Sequence, residues 1–173
     1  MKKTALIAFL VVTLSVAAFA ELPDVFGEPL HEVELEEGFV PDPYEHDMAA
    51  GGGTMFDAEA DLGDDYFARE GDVVSPAGYI YGSGPDVRFF YDASQGASIY
   101  FAFEAEDGGD TFIVVNDPDG DWWVVDDSDF GLDPAFGIEG APAGQYDIWV
   151  GTWQEDTVFG SFYISELGPF GEF

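Results

Sequence analysis

The chain reads as an all-β protein: an antiparallel β-sandwich, jelly-roll-like, of about eight to ten strands. Three observations carry that reading. From residue 77 onward, short apolar runs recur at regular spacing, each bounded by a Gly-, Pro- or Asp-rich turn signal. Within several runs the apolar residues alternate, as in a strand with one buried face. No stretch shows the 3.6-residue period of an amphipathic helix.

The first twenty residues stand apart from this pattern. Lys2 and Lys3 form a positive start, residues 5–16 form a short apolar core, and Ala18-Phe19-Ala20 is a small-x-small cleavage site. The apolar core is about a dozen residues, too short to span a bilayer comfortably. Residues 1–20 are therefore expected to be a Sec-type signal peptide, with export to the periplasm or the medium. No cysteine follows the apolar core, which excludes a lipoprotein anchor, and no later run approaches transmembrane length, so no membrane insertion is expected. The 153 residues left from Glu21 suit one domain with a sizeable core. The sequence has no cysteine, so packing or a bound metal must stabilise it.

Residues 21–29 read as an N-terminal arm and residues 30–167 as the single sandwich domain. Residues 30–36 place Val33 and Leu35 on one side of a first strand. Phe39-Val40-Pro41-Asp42-Pro43-Tyr44 is a corner, because neither proline can donate to a central ladder. Residues 45–50 fit a second strand. Gly51-Gly52-Gly53 then opens an acidic loop over residues 51–76, with one helical turn expected around residues 64–69.

The regular part follows. Strands are expected at 78–81, 86–91, 97–104, 111–116, 122–126, 135–138, 145–150 and 157–165. The separators include Gly82-Ser83-Gly84-Pro85, Asp107-Gly108-Gly109, Asp117-Pro118-Asp119-Gly120 and Ala141-Pro142-Ala143-Gly144. Alternation sends Ile99, Phe101 and Phe103, then Tyr146, Ile148 and Val150, then Val158, Phe162 and Ile164 to the core. Residues 111–115 and 122–125 are apolar on both faces, so their outer side is either covered or an exposed aromatic patch. Residues 168–173 are a tail.

Charge narrows the choice of function. All 36 acidic residues follow the signal peptide, and only Arg69 and Arg88 oppose them, for a mature net charge of −34. Such a surface repels nucleic acid and anionic lipid and suits salty surroundings or a basic partner. Fifteen Phe, eight Tyr and four Trp in the mature chain exclude disorder.

Asp110-Thr111, the apolar strand after it, Asp117-Pro118-Asp119-Gly120, Trp122-Trp123, Asp126-Asp127-Ser128 and the run from Pro142 through Tyr146-Asp147-Ile148-Trp149 to Gly151 resemble bacterial pre-peptidase C-terminal-like domains. These are small β-sandwich modules appended to secreted enzymes. Similarity extends to short stand-alone exported proteins through Gly38-Phe39-x-Pro41-Asp42-Pro43-Tyr44, Gly78-Tyr79-Ile80 and Ile164-Ser165-Glu166-Leu167. The resemblance covers most of residues 26–167 and implies a fold, not a reaction. It also implies a disulfide lost as a pair, at positions near Ser75 and at Val124.

Catalytic inventories are thin. The only histidines, His31 and His46, lie in the N-terminal quarter, no Gly-x-Ser-x-Gly elbow exists and cysteine nucleophiles are absent. Carboxylate pairs are too numerous to point to a glycosidase-like hydrolase, which stays a less favoured reading than a binding module. An eight-stranded outer-membrane barrel is disfavoured because the strands are short and apolar on both sides.

Two binding chemistries stand out. Asp117, Asp119, Asp121, Asp126, Asp127, Asp129 and Asp133 are hard oxygen donors in two adjacent loops, as Ca²⁺ requires. The alternative is that Asp117-Pro118-Asp119-Gly120 is a type I turn with a bulge, and that Asp127 and Ser128 cap a loop. Trp122, Trp123, Trp149 and Trp153 form a candidate aromatic face for a polysaccharide or protein ligand; the alternative is that the acidic loop covers it. Trp149 is the strongest candidate for exposure. His31-Glu32 and Glu45-His46-Asp47 offer a weaker transition-metal set. The expectation is a non-catalytic exported binding or structural module, with Ca²⁺ as its one candidate cofactor and a carbohydrate-binding module as the alternative.

Overall fold

The computed structural model describes residues 23–63, 66–68, 77–93 and 96–170. The expected signal peptide, Arg69 and the position near Ser75 lie outside the described residues. Twelve strands and one short helix occur among those described, in two sheets. The strands are β1 (His31–Glu36), β2 (Tyr44–Gly51), β3 (Thr54–Asp57), β4 (Tyr66–Ala68), β5 (Ala77–Ile80) and β6 (Val87–Asp92). They continue as β7 (Ile99–Ala105), β8 (Thr111–Asn116), β9 (Trp122–Val125), β10 (Ala135–Ile138), β11 (Gly144–Thr152) and β12 (Thr157–Ser165). The helix α1 is Ala58–Leu62.

The larger sheet runs β1-β6-β11-β8-β9-β4, with β5 also beside β11 and β3 beside β5. The smaller sheet runs β10-β7-β12-β2. The expected all-β, two-sheet architecture is present, and the sheets stay separate rather than closing into one barrel. Most pairs are antiparallel, but β1 lies parallel to β6 and β4 parallel to β9. Both exceptions join segments far apart in sequence, as parallel pairing requires.

Between the sheets lies the main core, and alternation places it as expected. Ile99, Phe101, Phe103, Tyr146, Ile148, Val150, Phe162 and Ile164 are all buried there, with Val158 partly buried at its margin. The corner at residues 38–43 is tied to the far end of the chain. Glu166 accepts from the Gly38 N–H and the Tyr91 hydroxyl, and its own N–H donates to Asp42.

A second core occupies the outer face of the larger sheet. Phe112, Val114, Val124 and Trp149 point there and are covered by Phe56, Ala58 and Ile80, with Leu62 and Tyr66 at the margin. The acidic segment is therefore not a plain loop. It holds β3, α1 and β4, burying Phe56 and Ala58 while Glu59 and Asp61 stay exposed. A helical turn occurs at Ala58–Leu62, where Asp57 caps it by accepting from the Ala60 N–H; of the turn expected at 64–69, residues 66–68 are strand β4 and the rest lie outside the described residues. Gly151 makes the second core possible: a Cβ there would meet the Phe112 ring at 2.1 Å.

Asp86 closes a gap in the ladder. β11 pairs with β6 through Ile148 and with β5 at Thr152, leaving Val150 between them. The Asp86 Oδ2 accepts from the Val150 N–H at 2.8 Å, while Oδ1 is buried without a hydrogen-bond partner. Burial pushes this carboxyl up to about 7 from 3.8, opposed by the Val150 N–H. The folded state thus holds a proton that the unfolded state releases. Its stabilisation is full below about pH 4 and is lost as pH rises through about 7. Burial, then the charge of His31, lowers the His46 pKa; this acts oppositely, favouring the fold as pH rises through the His range. Melting curves from pH 5 to pH 8 at constant salt, compared with Asp86→Asn, isolate the part of the Asp86 contribution that is lost as pH rises through about 7. The wild type should lose stability relative to the variant as pH rises; parallel curves would refute the assignment.

Candidate functional site

The β8–β9 hairpin organises most of the candidate residues, and its register separates them. Ile113 opposes Val125 and Asn116 opposes Trp122. The turn therefore sits at one end, and Asp110 meets Asp126 and Asp127 at the other. Strand rise puts these ends roughly 20 Å apart, so the seven candidate Ca²⁺ ligands do not form one site.

At the turn end the acids build the turn itself. The Asp117 carbonyl accepts from Gly120, and its Oδ1 accepts from the N–H groups of Asp119 and Asp121, each at 3.0 Å. Its Oδ2 accepts from the Trp123 indole at 2.9 Å. Both carboxylate oxygens are thus engaged by the protein, and Gly120 takes φ 85°, as a bulged type I hairpin needs. Asp119 and Asp121 remain at this tip.

At the other end, Asp110, Asp126 and Asp127 each bring a carboxylate oxygen within 4.8 Å of the others. Burial, then the Asp127 charge, raises the Asp110 carboxyl above its usual range. Hard donors so arranged suit an oxygen-seeking cation. Asp110 was missing from the expected set, although antiparallel pairing of the two apolar runs would have placed it opposite Asp126 and Asp127. Asp129 lies in the loop beyond. Asp133 turns away toward the smaller sheet, where it accepts from the Ala105 N–H at 3.0 Å.

The tryptophans do not share a face. Trp149 is 0% exposed, contrary to its expected exposure, and donates its indole N–H to the Ser83 carbonyl. Trp122 is half-buried beside it, at 5.7 Å between ring centroids. Trp123 points to the opposite side of its strand and stacks between Phe67 at 4.7 Å and Phe136 at 6.0 Å. Trp153 alone is largely exposed, at 48%. The acidic segment covers what would have been the aromatic platform.

His31 and His46 do meet, in an edge-to-face contact at 4.1 Å. Among the described residues, no third His, Asp or Glu donor groups with them; the one three-donor group is Asp110, Asp126 and Asp127.

No family model matches the chain, and comparison with curated proteins finds no match. Among solved structures, PliG from Aeromonas hydrophila, a periplasmic lysozyme inhibitor of g-type lysozyme, aligns over 80% of this chain and 98% of that one. Identity is 9% and the TM-score 0.32, too slight a likeness to carry an assignment. Among the described residues no helix is long and apolar enough to cross a membrane.

Proposed function

We propose that the chain is a non-catalytic exported binding module whose partner is a basic protein. The observation that carries this is the disposition of charge. Among the described residues Arg88 is the only Lys or Arg, and it is engaged internally. Its guanidinium holds Asp147 and the carbonyls of Val25 and Gly27. The described surface thus opposes its carboxylates with no exposed Lys or Arg, and such a field steers and binds surfaces of opposite sign. Export is supported by the signal-like start of the chain. The non-catalytic reading is supported by the histidines, which pack on each other, and by the turn and capping roles of the best-placed acids. If the module holds Ca²⁺, Asp110, Asp126 and Asp127 are the donors its geometry offers. The pre-peptidase C-terminal-like resemblance remains part of this proposal, as a fold relationship.

The test is equilibrium titration of the mature chain against several small basic proteins of similar net charge and a neutral polysaccharide. We expect saturable one-to-one binding to some of the basic proteins and not others, weakening about tenfold or more from low to high salt. Binding that tracks probe charge alone, or no saturable binding, would overturn the proposal. Binding to the polysaccharide instead would restore the carbohydrate reading.

A further inference from the structure

The outer face of the smaller sheet carries a cup of about 430 Å³, lined by Glu104, Phe130, Asp133, Tyr163 and Phe170. None of its aromatic rings figures among the candidate residues read from the sequence. Glu104 and Tyr163 project outward from β7 and β12, because their neighbours Phe103, Phe162 and Ile164 fill the main core. Phe130, from the β9–β10 loop, and Phe170, beyond the end of β12, arch over them. Phe130 meets Phe170 edge to face at 4.7 Å and 85°, and Tyr163 meets Phe170 at 5.5 Å and 78°. Phe170 is thus set nearly at right angles to both of the other rings.

The carboxylates of Glu104 and Asp133 complete the lining. The Tyr163 hydroxyl lies 3.3 Å from Glu104 and 3.4 Å from Glu45, and its single proton donates to one or the other. Asp133 is held in place by the Ala105 N–H. Burial raises the Asp133 carboxyl above its usual range; the Ala105 N–H opposes this and the Glu104 charge adds to it. The cup therefore combines three aromatic rings with carboxylates that, among the described residues, have no Lys or Arg ion pair. An inorganic ion would make poor use of the rings, and a neutral apolar ligand would leave the carboxylates uncompensated. A cation sheathed in methylene or methyl groups satisfies both.

We infer that this cup is a binding site for an alkylammonium group, either a lysine side chain of the basic partner or a free quaternary ammonium compound. The lysine source rests on the proposed function; the cup's preference for ammonium does not. The cup's size is within the range of small-ligand sites.

Amide chemical-shift titration tests this with three probes: Nα-acetyl-lysine methylamide, choline, and 3,3-dimethyl-1-butanol, the uncharged isostere of choline. We expect shifts at Glu104, Phe130, Asp133 and Tyr163 with at least one ammonium probe, and binding about tenfold weaker for the isostere. Phe130→Ala and Glu104→Gln, both at exposed positions, should each weaken the ammonium probe several-fold without changing the melting temperature. Tighter lysine binding supports the side-chain source; tighter choline binding supports the free compound. Equal affinity for the isostere, shifts elsewhere, or unaffected variants would overturn the site. If basic proteins still bind while the ammonium probes fail, the cup is refuted and the broader proposal stands. If the probes bind and the proteins do not, the reverse holds.

Discussion

Replacing Trp149 with alanine should destabilise the protein by about 3–5 kcal/mol, the usual range for truncating a fully buried Trp. The indole is 0% exposed and packs in the second core with Phe56, Phe112, Val114 and Val124. Its N–H would also leave the Ser83 carbonyl without the 3.0 Å bond it now accepts. Collapse cannot easily refill the space, because the lid is thin: β3, a five-residue helix and β4, with few apolar side chains. Urea unfolding of Trp149→Ala beside Trp153→Ala checks this. Trp153 is 48% exposed, and its loss should change stability by no more than about 0.5 kcal/mol. Comparable small effects from both would mean that the acidic segment does not cover the sheet.

The Arg88→Ala variant should lose a similar amount, about 3–5 kcal/mol, for an electrostatic reason. Arg88 Nε donates to Asp147 Oδ1 at 2.7 Å, and the Asp147 side chain is only 3% exposed. Gln145 donates to the other carboxylate oxygen. Removing the guanidinium leaves a buried charge with one neutral donor, in a chain that already repels itself. The same change frees the N-terminal segment, since Arg88 also holds the Val25 and Gly27 carbonyls. Arg88→Met combined with Asp147→Leu should recover most of the loss, because replacing both charges by apolar groups removes the desolvation penalty as well. A double variant as unstable as Arg88→Ala would mean that the arginine acts mainly by tethering the N-terminal segment. Denaturant midpoints of the three proteins decide between these outcomes.

Both predictions concern residues whose strand could be read locally but whose surroundings could not. Alternation put Asp147 and Trp149 on the face opposite Tyr146 and Ile148, and they are there. Whether that face met water depended on residues 54–68, almost a hundred positions earlier. The residues that cover it, Phe56, Ala58 and Leu62, do not alternate strongly enough to announce a lid among so many acids. The partner of Asp147 depended on register, which sets it opposite Arg88. Likewise the Asp117 turn was legible, since Pro, Asp and Gly at successive positions encode backbone angles within four residues. The convergence of Asp110 with Asp126 and Asp127 needed the hairpin register. The aromatic cup needed more: Phe130 and Phe170 lie in irregular segments, where no period reports which way a side chain points.

The sequence by itself determined the all-β class, the inward sets of the main core, the hairpin turn and the extreme negative charge. Each follows from spacing or composition over a few residues, where strand period and turn geometry act directly. Only the tertiary structure decided that Trp149 is buried, that the seven candidate aspartates divide among separate places, and that three rings and two carboxylates form a cup. These depend on contacts between distant segments. Pairing register and the choice of which segment covers which face come from the combined burial of the whole chain, which no local pattern contains.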